Sequence, residues 1–312
     1  MIICAWKGNN KMDDFDYTAE TLNALWSWEV EQEIESDLLF HYYSADKVVK
    51  VFTEDGIRLR LAEVSTYTDT MEGIAVNAYY DLALEELHNE GIITSEQYDQ
   101  FCKVAVPESL FMPNGEINGI RHWSRVKYRA YTMCFSTSVD DPFMFGNYGN
   151  GGEGERYCLH FTAGDLADLK TKGLDNDAEI NLVPIKYGRS AIDFIKGYII
   201  QIISNPYWLA DYEECICNVL QNCHYTAKLS KHSKENEIRL VVFLPVGGNK
   251  NLPDIKYDSE DDRYIYFTIP KYMLYSISPS PDNTVQQTNT MVSYLETNGY
   301  ILHELNNSLN QK

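Results

Sequence analysis

Glu235 and Glu237 flank Asn236 just ahead of the apolar run 238–244. On an extended chain alternate side chains share a face, so this spacing puts both carboxylates on one side. Such a pair can share proton transfer and stabilise a developing cation. The same pattern also guards a hydrophobic strand with charge, which is its commoner use. Far upstream, His41 sits between Phe40 and Tyr42 in the apolar-aromatic run 38–43. A histidine there either offers ring nitrogens to a cleft or serves as a satisfied structural group. Between these two places, Ser136, Thr137 and Ser138 close the strand-like run 131–138. Their hydroxyls can bond a sugar or an amide, or simply end the strand in a turn.

Other clusters point less directly to a site. The glycine-rich stretch 146–154 lacks the spacing of a dinucleotide or P-loop fingerprint, and a strand follows it, so it reads as a loop. Arg121, Arg125 and Arg129 share a face if their segment is helical. They suit a phosphate-bearing ligand, or ion pairs with the acidic surface. Cys215, Cys217, Cys223 and His224 fall in a helical pattern where i, i+2 side chains diverge, so no metal site is expected. The acidic run 258–262 lacks EF-hand spacing.

The elements that must position these groups follow from periodicity. Residues 1–37 read as a helical lead-in, with Asp16 or Thr18 capping a helix to about Glu35. Strands are expected at 38–43, 57–61, 131–138, 156–161, 180–187, 238–244, 263–269 and 273–278. Helices are expected after Ser44 and at 72–88, 121–129, 190–204, 208–228 and 282–297, with 140–155 a loop. Strands and helices do not alternate strictly, so the pattern predicts an α+β fold with a mostly antiparallel sheet flanked by helices. No long linker interrupts 38–312, which reads as a single domain.

Composition narrows the partners. Of 312 residues, 46 are acidic and 26 basic, a net charge of -20. That surface repels nucleic acid and anionic membranes at long range, so a nucleic-acid partner is not expected beyond the 121–129 patch. Residues 1–7 do not form a secretion signal. The most apolar run, 192–203, contains Asp193 and Lys196 and is shorter than the roughly 20 residues a membrane span needs. Seven scattered cysteines read as reduced thiols, so a cytoplasmic protein with no membrane contact is expected.

Taken in order, these segments resemble the bacterial domain-of-unknown-function family 2971. The resemblance rests on Leu39-Phe40-His41-Tyr42-Tyr43-Ser44, Thr68-Asp69-Thr70-Met71-Glu72 and Cys134-Phe135-Ser136. It continues through Met144-Phe145-Gly146-Asn147-Tyr148, Tyr157-Cys158-Leu159-His160-Phe161, Glu235-Asn236-Glu237-Ile238-Arg239 and Ile277-Ser278-Pro279. Thr68 and Thr70 stand where the family usually has Asn and Pro, and Phe145 where it has Trp. The order of strand histidine, Ser-Thr-Ser and Glu-x-Glu also looks like the motif set of ADP-ribosyltransferases. That likeness implies a split antiparallel sheet with NAD, as substrate, in its cleft. It implies an NAD-consuming transferase or glycohydrolase, of a toxin or phage-defence kind, while the substituted Thr68, Thr70 and Phe145 positions favour the alternative, a non-catalytic ligand-sensing or protein-interaction module using the same cleft. It implies Glu237, Glu235 and His41 as catalytic residues. Tyr42, Ser136, Ser138, Tyr148 and Arg239 would bind the nucleotide.

Overall fold

The computed structural model describes residues 36–63, 71–104, 128–148, 154–169, 179–210, 212–245, 255–257, 264–302 and 304–305. The lead-in helix to Glu35, the arginine run 121–127, the Thr68–Thr70 motif, the loop residues 149–153 and the acidic run 258–262 lie outside the described residues.

The chain enters through β1 (Leu38–Ser44), α1 (Ala45–Val51) and β2 (Ile57–Glu63). On β2, Ile57, Leu59 and Leu61 are buried while Arg58 and Arg60 are exposed, the alternation of a strand with one face on a core. Next come α2 (Met71–Asn89) and α3 (Ser95–Cys102), the latter started by a reciprocal Thr94–Gln97 capping box. The middle of the chain holds β3 (Tyr128–Ser136), α4 (Pro142–Tyr148), β4 (Arg156–Thr162) and α5 (Ala163–Asp168). It continues with β5 (Glu179–Pro184), β6 (Lys186–Tyr187), α6 (Arg189–Ser204), α7 (Pro206–Ala210) and α8 (Tyr212–Thr226). After the two-residue β7 (Ala227–Lys228) and a 3₁₀ turn (Ser230–Glu235) come β8 (Glu237–Pro245), β9 (Ile255–Tyr257) and β10 (Tyr264–Ile269). The last elements are β11 (Leu274–Pro279), α9 (Val285–Thr297) and β12 (Glu304–Leu305).

The fold is α+β. Its large sheet is antiparallel apart from the β11–β12 pair, and its order is β12-β11-β4-β1-β3-β2-β10-β9. The sheet forks at β3. One edge of β3 pairs with β8 along its whole length, from Tyr128 opposite Pro245 to Ser136 opposite Glu237. The other edge is divided: β2 takes Tyr131 and Thr132, and β1 meets only Ser136, through Phe40. Strand β5 continues the sheet beyond β8.

Two cores follow from the alternation on the paired strands. Tyr131, Met133 and Phe135 of β3 and Ile238, Leu240 and Val242 of β8 join a core shared with β1, β2, β4, β10, β11 and α9. The opposite face, with Ala130 and Val241, packs on α2, α6 and α8 through Val76, Leu84, Ile195, Ile199 and Ile216. Full burial of each such aliphatic side chain contributes about 1.5–3 kcal/mol. A third small cluster, Phe40, Tyr42, Met144, Phe145 and Cys158, sits under α4.

Four expected elements differ. The segment 140–155 is not all loop: residues 142–148 form α4, because Met144 and Phe145 bury against β1 despite Gly146. The helix expected at 208–228 breaks into α7 and α8 and stops at Thr226, leaving Ala227 and Lys228 to pair in parallel with Lys186 and Tyr187. The strand expected at 180–187 ends at Pro184, whose ring cannot donate to a ladder, before β6 resumes. The helix expected through residue 129 gives way to β3 from Tyr128. Among the described residues no helix is long and apolar enough to cross a membrane.

Candidate functional site

A cavity of about 210 Å³ opens where β1 and β3 part. Phe40, Tyr42, Tyr43, Phe135 and Met144 give it aromatic and apolar walls. His41, Cys134, Ser136, Glu235 and Glu237 supply polar groups, and the exposed Lys47 and Tyr148 stand at its rim.

The fork itself places His41. Its Nδ1 lies 2.5 Å from the backbone oxygen of Cys134, on the β3 edge that β1 no longer covers. A carbonyl only accepts, so Nδ1 carries the proton and Nε2 is left with a lone pair. Burial pushes the imidazole down to about 4, against a smaller upward pull from the Cys134 carbonyl, so the ring is neutral at pH 7. Edge contacts with Tyr43 and Phe135 fix its plane. Among the described residues Nε2 has no hydrogen-bond partner, which makes it an acceptor available to a ligand.

Glu235 and Glu237 reach the cavity by a route that alternation did not foresee. Glu235 ends the 3₁₀ turn, Asn236 adopts a left-handed conformation with φ 43°, and β8 starts only at Glu237. Asparagine tolerates that conformation better than most residues. The side chains meet because Lys228 Nζ lies 2.8 Å from Glu235 Oε2 and 2.6 Å from Glu237 Oε2. Arg239 Nε lies 2.5 Å from Glu237 Oε1, and its Nη1 donates to the Tyr225 carbonyl at 3.3 Å. His232 Nδ1 lies 3.0 Å from Glu235 Oε1. Burial alone would raise the Glu237 carboxyl, but the Arg239 guanidinium and the Lys228 ammonium outweigh it and hold the group at about 2. Glu237 is therefore ionised throughout the physiological range. Burial, with the neighbouring Glu237 charge, pushes the Cys134 thiol up to about 12, so it is a protonated donor and not a nucleophile. Tyr148 is pushed up as well, first by burial and then by its hydrogen bond to Glu235.

Six of the eight residues singled out from the sequence line the cavity: His41, Tyr42, Ser136, Tyr148, Glu235 and Glu237. Ser138 and Arg239 are not among its lining residues. Arg239 is fully buried behind Glu237, where it is a counter-ion and cannot touch a nucleotide. Ser138 holds the turn beside the cavity: its Oγ accepts from Asn236 Nδ2 at 3.0 Å and its carbonyl accepts from Tyr42 Oη at 2.6 Å. Ser136 lines the wall, but its hydroxyl is committed to the backbone, donating to Glu235 O at 2.7 Å and accepting from Ser138 N at 3.0 Å. Among the described residues no group of three or more His, Cys, Asp or Glu side chains could hold a metal ion. Cys215 and Cys223 are buried thiols.

Lys228 and Tyr187 are the participants that sequence reasoning missed. Tyr187 Oη accepts from Glu237 N at 3.0 Å. The only hint of Lys228 is a lysine set between Ala227 and Leu229. Its placement depends on Gly188, which has φ +54° and donates to the Lys228 carbonyl at 3.3 Å. A Cβ added at Gly188 would lie 2.1 Å from Ser230 Oγ. Gly188→Ala is expected to destabilise the protein by about 1–3 kcal/mol in urea unfolding. A loss below about 0.5 kcal/mol, the scale of an ordinary surface change, would show that the turn absorbs the clash.

No family model, no curated protein and no solved structure matches the chain.

Proposed function

We propose that the cavity binds the nicotinamide–ribose end of NAD and that the protein breaks the bond between base and sugar. The observation that carries this reading is the meeting of a neutral histidine acceptor, a phenol and an ionised carboxylate around one aromatic-walled cavity. Its volume of about 210 Å³ suits one end of a dinucleotide, since pockets that enclose a drug-sized molecule hold about 300–1,000 Å³. The remainder of the ligand would lie across the rim near Lys47.

The chemistry is consistent with these groups. When the C1′–N bond breaks, its electron pair leaves with nicotinamide, which departs neutral and needs no proton. The sugar left behind resembles an oxocarbenium ion, which a carboxylate stabilises and to which hydroxyl hydrogen bonds contribute. Water or another nucleophile then attacks C1′ and releases its proton to solvent. Glu237 would face the developing cation, and His41 Nε2 would accept from a sugar hydroxyl. An ADP-ribosyltransferase-like or glycohydrolase effector, divergent within domain-of-unknown-function family 2971 and of a toxin or phage-defence kind, is the setting that the sequence resemblance implies.

Both Glu237 oxygens already sit in ion pairs, which favours a second reading in which the cavity senses a nucleotide without turning it over. One experiment separates the two. Incubation with NAD is expected to release nicotinamide, and Glu237→Gln to lower that release about 10²–10³-fold, the scale for removing one charge-stabilising group. NAD binding by the folded wild type with no release supports the sensor. Neither binding nor release eliminates both.

A further inference from the structure

We infer that Lys228 is a positioning residue of the cavity, whose ammonium holds the Glu235 and Glu237 side chains together facing one space. Its consequence for turnover rests on the proposed NAD chemistry; the pairing itself does not.

The geometry is that of one cation shared by two anions. Lys228 Nζ touches Glu235 Oε2 at 2.8 Å and Glu237 Oε2 at 2.6 Å, and the three side chains are only 6%, 6% and 3% exposed. Two carboxylates that touch the same nitrogen are close neighbours in a dry site. Without an intervening cation their repulsion forces one of them to take up a proton, as in paired carboxylates generally. The other groups facing the pair do not supply that cation. Arg239 of β8 bonds Glu237, and His232 of the 3₁₀ turn bonds Glu235. Tyr148 of α4, Tyr187 of β6 and Cys134 of β3 meet the pair with phenols and a thiol pushed upward by burial, hence uncharged near neutrality. Among the described residues Lys228 is the cation with ion pairs to both.

The backbone around Lys228 is arranged to deliver it. Strand β7 is two residues long, pairs in parallel with β6, and has its Lys228 carbonyl held from two directions. Tyr79 Oη of α2 donates to that oxygen at 3.0 Å and Gly188 N donates at 3.3 Å. A strand this short adds little sheet, yet it fixes a side chain that joins the two carboxylates.

The test compares wild type with Lys228→Met from pH 4.5 to pH 7.5, reading thermal midpoints. His232→Gln is placed in both backgrounds so that the histidine's own protonation cancels. A carboxyl whose folded pKa is raised contributes stability below its unfolded pKa and loses it as pH rises through the folded value. The midpoint deficit of Lys228→Met should therefore grow with pH, reaching about twice its pH 4.5 value or more at pH 7.5. Adding Glu235→Gln, which removes the extra charge, should recover most of the loss at pH 7.5. A deficit that is the same at every pH would mean that the lysine merely fills space, and overturns the inference. If Lys228→Met does not fold at pH 7.5, rescue by Glu235→Gln supports the inference and failure to rescue overturns it. Nicotinamide release is read alongside in wild type. Its absence there counts against NAD cleavage alone, and the pH-dependent deficit still decides the role of Lys228.

Discussion

Replacing Arg239 with methionine is expected to destabilise the protein by about 3–5 kcal/mol, the cost of removing one partner from a buried ion pair. Arg239 is fully buried in the middle of the sheet, between β3 and β5. Its guanidinium is tied to the Glu237 carboxylate and to the Tyr225 carbonyl. Methionine fills similar space but leaves Glu237, itself 4% exposed, with Lys228 alone, and that ammonium also serves Glu235. The penalty comes from the stranded charge, more than from lost packing. Replacing both Glu237 and Arg239 with methionine should therefore cost less than the single Arg239 change, because apolar substitution of an entire buried pair is often close to neutral. Urea unfolding of the two singles and the double gives the full cycle. A single-variant loss under about 1 kcal/mol, the range of exposed pairs, would mean that the pair is not the dry one described.

The second large effect is an acid limb. Glu237 is held at about 2 in the folded protein against an ordinary 4.5. A depressed carboxyl contributes stability above its unfolded pKa and loses it as pH falls through the folded value. At about 1.4 kcal/mol for each pH unit, the contribution is about 3 kcal/mol, present at pH 5 and gone near pH 2. Wild type and Glu237→Gln should differ by a stability gap that shrinks by about that amount as pH is lowered through this window. Other carboxylates titrate in both proteins and largely drop out of the difference. A gap that stays constant from pH 5 to pH 2 would show that Glu237 is not an ionised partner in the fold.

The strands were legible because their apolar residues alternate. Ile57, Leu59 and Leu61, and Tyr157, Leu159 and Phe161, each fill one side of a core. Glu237 and Arg239 also stand two apart on one strand and share a face, although the sequence pattern pointed only to the Glu235 and Glu237 pair. The order of strands was not, since nothing local tells β3 to divide one edge between β1 and β2. Helix α4 was hidden by Gly146 and the glycines after it, although Met144 and Phe145 bury well enough to hold it. Two-residue β7 carries no periodicity at all, so Lys228 entered the site through a tertiary contact that no window of sequence contains. Six site candidates converge on the cavity because the motif order tracks strands that the fork brings together. Ser138 and Arg239 stay behind it because one serves a turn and the other a counter-charge.

The two-sided burial of β3 and β8 has a consequence for how the strands choose their alignment. Ile238, Leu240 and Val242 face one core, while Glu237, Arg239 and Val241 fall on the other parity. A one-residue slip of β8 along β3 would exchange those sets and drive a carboxylate and a guanidinium into the apolar core, away from Lys228 and the Tyr225 carbonyl. An all-apolar strand buried on both sides has no such penalty against slipping. The charged pair at the cavity thus also acts as a ratchet on strand registration, so the site and the correct threading of the sheet are specified by the same side chains.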